Sequence, residues 1–160
     1  MPRRLKAAKL LFIPKPGQTD FTDIRYAPII NCVLKHKGKF LVIKRSEILR
    51  WYPGRWNGVS GFLDDKKSIK EKITEEINEE LGLKKTSIKS IKLKEIFLQD
   101  EPKYQKTWIV IPVLVEVNTS EVKLNFENAE YKWATESEIK KLKFVPGFDE
   151  VLRRVNESRI

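Results

Sequence analysis

Residues 68–83, SIKEKITEEINEELGL, read as one helix with both ends marked. Ser68 followed three residues on by Glu71 forms a capping box, and Gly82 suits the left-handed C′ position. At about 100° per residue, Ile69, Ile73, Ile77 and Leu81 make one apolar stripe that another layer must cover. Glu76 and Glu80 border the stripe and Glu79 flanks them, so three carboxylates form a ridge beside a face that must be buried. Like charges three or four apart repel by roughly 0.2–0.5 kcal/mol per exposed pair, and partial desolvation raises that cost. The ridge also sits at the helix end where the macrodipole opposes acid, while Lys66, Lys67, Lys70 and Lys72 gather toward the start. A solvated acidic face is the ordinary reading of such a run, but these two features call for a cation. Hard divalent ions take oxygen ligands and share them with phosphate, which makes Mg²⁺ or Mn²⁺ the natural occupant.

The rest of the 160-residue chain supplies layers for this helix. APIINCVL and KFLVIKR read as strands joined by the turn KHKGK, and SEILRWYPGRWNG as a loop carrying Trp51, Tyr52 and Trp56. VSGFL is a short strand, SIKLKEIFLQ is strand-like, TWIVIPVLVEV is a long apolar strand suited to a sheet interior, and EYKWAT is another short strand. ESEIKKL is helical, and Phe148, Val151, Leu152 and Val155 have the spacing of a closing amphipathic helix. Residues 1–24, broken by Pro14, Pro16 and Gly17, are expected to be an irregular basic segment, and residues 25–160 a single domain. The predicted class is α/β (α+β), with helices packed on a mixed sheet.

Hydrophobic residues make up 41% of the chain and charged residues 34%, a folded composition rather than a disordered one. No apolar stretch approaches the ~20 residues that cross a bilayer. LLFI, near the start, is too short for a signal-peptide core and precedes no small-residue cleavage site. Cys32, the single cysteine, excludes an internal disulfide and fits a reducing compartment, so a cytoplasmic protein without membrane contact is expected. The net charge of +10 attracts polyanions, nucleotides and RNA among them. Because the lysines are spread along the chain and not clustered with aromatics, a small nucleotide is favoured over RNA.

The run from Gly61 to Leu83, GFLDDKKSIKEKITEEINEELGL, resembles the Nudix box, G-x5-E-x7-R-E-U-x-E-E-x-G-U with U aliphatic. Gly61, Glu76, Ile77, Glu79, Glu80, Gly82 and Leu83 fall in register without a gap. KFLVIKR and PGRWNGVSG upstream and ENAEYKWATESEI downstream resemble the usual Nudix surroundings, extending the likeness over roughly residues 26 to 157. Two positions depart from the pattern: Lys67 stands where the family has glutamate, and Glu75 where it has arginine. Both signs are reversed, so a Lys67–Glu75 pair is expected to brace the loop and helix in place of the family's own pair.

The resemblance implies a Nudix-type α/β/α sandwich and a metal-dependent hydrolysis of a nucleoside diphosphate linked to another group X. It makes Glu76 and Glu80 direct metal ligands, Glu79 a ligand or water-orienting group, and the Gly61 carbonyl a further ligand. Glu127, six residues before Trp133, is the expected downstream acid, with Glu130 second. Arg45, Trp56, Tyr104 and Lys106 are the candidate substrate contacts: a phosphate-facing cation, a base-stacking ring and two pocket-wall residues. His36, the one histidine, lies in a polar turn, which leaves the acid–base work to carboxylates. A non-catalytic Nudix-fold module binding RNA or a protein is the alternative that the two departures favour and the intact glutamates oppose. A homodimer is compatible with the family resemblance.

Overall fold

The computed structural model describes residues 12–157. Residues 1–11, the basic start of the expected irregular segment, and residues 158–160 lie outside the described residues.

Strand β1 (Tyr26–His36) and β2 (Lys39–Arg45) form a hairpin. Lys37 and Gly38 close it with φ of 49° and 79°, the paired positive values that a two-residue hairpin turn requires. β3 (Trp56–Asn57) and β4 (Val59–Phe62) follow the aromatic loop, and β4 leads into α1 (Ile69–Leu81). Ser68 caps α1 through the predicted reciprocal bonds with Glu71, and Gly82 ends it at φ 68°. β5 (Ile88–Leu93), β6 (Phe97–Glu101) and the long β7 (Lys106–Val117) come next, then β8 (Asn128–Ala134), the short α2 (Glu136–Ile139) and α3 (Phe148–Asn156).

The strands make one mixed eight-stranded sheet whose main path runs β3-β2-β1-β7-β5. β1 and β7 are parallel at its centre, while β4 pairs β1, β6 pairs β7 and β8 pairs β2. Alternation along the central strands creates two cores. Ile30, Cys32, Leu34, Val113 and Val115 pack on one face against Ile73, Ile77 and Leu81 of α1. Ala27, Val33, Val110 and Leu114 pack on the other against Phe148, Val151, Leu152 and Val155 of α3. The three α1 residues are fully buried, each contributing roughly 1.5–3 kcal/mol over the exposed state. The result is the α/β/α sandwich expected from the sequence.

SIKLKEIFLQ, read above as one strand, is divided between β5 and β6. The break lies opposite Pro112 of β7, which has no N–H to offer a neighbour; its carbonyl instead accepts from the Lys94 N–H at 2.8 Å. Among the described residues no helix is long and apolar enough to cross a membrane.

Candidate active site

The end of β4 and the start of the loop after it bring the acidic side of α1 against the sheet. Gly61 pairs with Ile30 of β1, and α1 passes so close that a Cβ on Gly61 would stand 2.8 Å from Cδ of Glu76. The glycine therefore gives the Glu76 carboxyl its place beside the Gly61 backbone. Glu80, one turn on, is 3% exposed and accepts a hydrogen bond of 3.0 Å from the Asn128 amide of β8. Glu127, immediately before β8, has its carbonyl bonded by the Ser46 N–H, which fixes this loop beside the end of β2.

These carboxylates act on one another. Burial pushes Glu76 up to about 7; its hydrogen bond with Glu80 and the Lys72 ammonium pull it back, while Glu79 and Glu127 add to the rise. Burial also raises Glu80 well above the ordinary range, helped by the charges of Glu127 and Glu76 and opposed by the Asn128 amide. Buried Glu80, partly buried Glu76 and Glu127 thus form one acidic cluster, faced by Lys72 beside Glu76 and by the Arg45 guanidinium. Glu79 stands exposed on the rim of the same cleft.

At the first half of α1 the charges are satisfied. The Lys67 ammonium pairs with Glu75, as the reversed signs predict, and lies 3.8 Å from Asp65. Lys72, buried, points into the same group: 3.2 Å from Asp64, 3.4 Å from Asp65, 3.5 Å from Glu75 and 3.6 Å from Glu76. Burial alone would depress this lysine, but the charges of Asp64 and Glu76 and the Asp64 hydrogen bond hold it above its ordinary value.

Beyond the acids, the cleft of about 1090 Å³ runs on to an apolar end walled by Trp51, Tyr52, Phe62, Phe97 and Trp108. Trp51 meets Trp108 edge-on with centroids 5.4 Å apart, and the Trp108 indole N–H donates to Tyr52 Oη at 2.7 Å. Asn31 also lines the cleft; its amide donates to Asn57 at 2.9 Å, leaving its buried Oδ1 without a partner.

The NUDIX domain family model matches residues 25–155, which is most of the chain. The chain belongs to the NUDIX domain family. Its fold is shared by the MutT protein from Methanosarcina mazei Go1, with 24% identity over 84% of this chain and 95% of that one and a TM-score of 0.67. An Ap4A hydrolase from C. elegans has 20% identity, coverage of 81% and 93%, and a TM-score of 0.61. An ADP-ribose pyrophosphatase from Streptococcus suis has 17% identity, coverage of 81% and 86%, and a TM-score of 0.54. Comparison with curated proteins finds no match.

Against the NUDIX box, the structure brings Glu76, Glu79, Glu127 and Gly61 to the acidic end of the cleft, with Glu80 buried behind them. Arg45 also lines the cleft, its guanidinium Nε donating to the Trp51 carbonyl at 2.8 Å. Three expected substrate contacts lie elsewhere. Trp56 is 7% exposed in the core under α3, and its indole is not among the cleft walls. Tyr104 stands behind the wall, accepting from the Tyr52 N–H at 3.0 Å and meeting Trp51 edge-on at 5.1 Å. Lys106 is turned away to the carbonyls of Phe21, Thr22 and Ile24. Trp56 lies in β3 and Lys106 opens β7, and the direction of each side chain is set by packing against segments distant in sequence. Glu130 pairs with Lys44 at 3.6 Å, and His36 bonds the Val117 carbonyl at 3.0 Å.

Trp51, Trp108, Asn31 and the Asp64–Lys72 pair were not foreseen as site residues. Lys72 carried a readable signal, since it precedes Glu76 by four residues and so shares its helix face.

The acidic end fits a divalent ion. Among the described residues no three acidic, imidazole or thiol side chains form a ready-made cage, but Mg²⁺ is commonly held by one or two carboxylates together with substrate phosphates. The raised Glu76 and Glu80 carboxyls, and the glycine that lets Glu76 reach the Gly61 backbone, match that donor chemistry.

Proposed function

We propose that this protein is a Mg²⁺- or Mn²⁺-dependent pyrophosphohydrolase that hydrolyses the phosphoric anhydride of a nucleoside diphosphate linked to another group X. The observation that carries this reading is the placement of the Glu76–Glu80–Glu127 cluster at one end of a cleft whose other end is aromatic. A diphosphate with a planar base suits both ends, because a divalent ion held by the acids would meet the phosphates and the rings would meet the base. Ap4A and ADP-ribose, named for two proteins of the same fold, are substrates of this class.

Glu76, Glu80 and Glu127, with the Gly61 carbonyl, would hold the metal, which supplies neutralising charge to the phosphates. Trp51 and Trp108 hold the base and keep water from that end of the cleft. Arg45 faces the phosphates with a donor left over from its bond to Trp51. Glu79, exposed on the rim, orients the attacking water and accepts its proton at a carboxylate oxygen.

Phosphate release from ADP-ribose, Ap4A and nucleoside triphosphates, with phosphatase added to score terminal products, tests the reaction. Hydrolysis that requires Mg²⁺ or Mn²⁺ and disappears in EDTA is expected. No hydrolysis of any member with either metal would overturn it.

A further inference from the structure

Residues 12–18 precede the family match, which begins at residue 25, yet Phe12, Lys15, Pro16, Gly17 and Gln18 line the cleft. The segment is anchored at several points. The Gln18 amide donates to Asp64 Oδ2 at 2.9 Å, and the Thr19 N–H donates to the Asp64 carbonyl at 2.6 Å. Phe21 stacks on Phe62, with centroids 5.7 Å apart and planes 7° from parallel. Lys106, 2% exposed, gives its ammonium to the carbonyls of Phe21, Thr22 and Ile24. Burying an ammonium is costly unless its donors are met, and here the segment's own backbone meets them.

Asp64 takes Gln18 on one oxygen and Lys72 on the other, and Lys72 reaches Glu76. The N-terminal segment therefore shares a carboxylate with the brace of the acidic ridge. Gly17, at φ +82°, turns the chain so that the Lys15 N–H bonds Gln18 Oε1 at 3.0 Å. That bond fixes the Lys15 backbone at the cleft, with its side chain exposed. Among the described residues Lys15 enters no ion pair, unlike Lys67 and Lys72 across the cleft. An unpaired ammonium on a flexible stem is a point charge suited to a phosphate oxygen.

We propose that residues 12–18 are a substrate-binding wall, in which Lys15 contacts a phosphate oxygen of the nucleoside diphosphate and Phe12 and Pro16 pack on group X. This rests on the pyrophosphohydrolase reading for the identity of the substrate. Lys15 is a specificity-determining residue contributed from outside the family domain.

Calorimetric binding of α,β-methylene-ADP with Mg²⁺ to the full chain tests it, using Lys15→Glu, Lys15→Arg and Lys89→Glu. Lys89 is exposed on β5 and is not part of the cleft, so it controls for the change in net charge. Lys15→Glu is expected to weaken the analogue by about tenfold or more, Lys15→Arg to restore it, and Lys89→Glu to leave it unchanged. Equal affinities for Lys15→Glu and Lys89→Glu would overturn the wall. If the unaltered chain hydrolyses no diphosphate but these binding differences stand, the reaction is refuted and the wall is supported.

Discussion

Gly61 and Glu76 are packed so that any side chain at position 61 meets the Glu76 carboxyl: an added Cβ would lie 2.8 Å from its Cδ and 2.9 Å from its Cγ. Both atoms belong to a side chain that can rotate, so the fold absorbs Gly61→Ala at a cost of about 1 kcal/mol, the low end for overpacking. The rotation nevertheless removes the carboxyl from the site. Gly61→Ala is expected to melt within a few degrees of the unaltered chain while its Mg²⁺ affinity, read by calorimetry, falls about tenfold. Unchanged metal affinity would show that Glu76 does not need this position.

Lys67 and Lys72 both face Glu75 but differ in burial, with side chains 45% and 6% exposed. Removing the buried one leaves Asp64 and Glu76 without their cation. Lys72→Met should cost about 3–5 kcal/mol in denaturant unfolding, the range for breaking a buried ion pair. Lys67→Met should cost far less, as solvent screens the outer pair. Equal costs would show that burial does not separate the two lysines.

The metal-free protein should lose stability with rising pH. Glu76 has a folded pKa of about 7, raised above its unfolded value, so its contribution is present below the unfolded pKa, near 4.3. It is lost as pH rises through 7, and Glu80, raised in the same direction, adds to the loss. In EDTA the melting temperature should fall between pH 5 and pH 8, and Mg²⁺ should reverse the fall at pH 8. A metal-free melting temperature that rises across this range would contradict the cluster's electrostatics.

How much of this was legible in the sequence follows from how local each feature is. The ends of α1 were readable because Ser68, Glu71 and Gly82 act within one turn, and the acidic ridge because helical spacing alone places Glu76, Glu79 and Glu80. The Lys67–Glu75 pair was readable because the box fixes the register of both residues. The split between β5 and β6 was not, since it depends on which neighbour Pro112 meets in the sheet. Nor was the turning of Lys106 toward residues 21–24, because it is settled by a segment distant in sequence; core packing of Trp56 beside the glycine-rich turn was readable next to the base-stacking role. Asp64 became part of the site only when the N-terminal segment and α1 met on its two oxygens.

The surplus of positive charge gives a separate expectation. If the lysines are a dispersed surface rather than an RNA track, hydrolysis of a mononucleotide substrate should change little with salt. Binding of 5′-phosphorylated RNA should be weak and fall with a log–log slope of about −0.7 for each phosphate engaged. A micromolar or tighter RNA complex at physiological salt would contradict the small-nucleotide reading.

Glu80→Gln isolates the role of the acidic cluster, because it keeps the shape and the Asn128 contact while removing one carboxylate. Metal-dependent phosphate release and the metal-free melting temperature are measured together on this variant. A loss of several orders of magnitude in kcat is expected with a melting temperature unchanged or higher, because glutamine leaves no carboxylate to desolvate beside Glu127 and Glu76. Activity within tenfold of the unaltered chain would remove Glu80 from the metal-binding set and contradict the account.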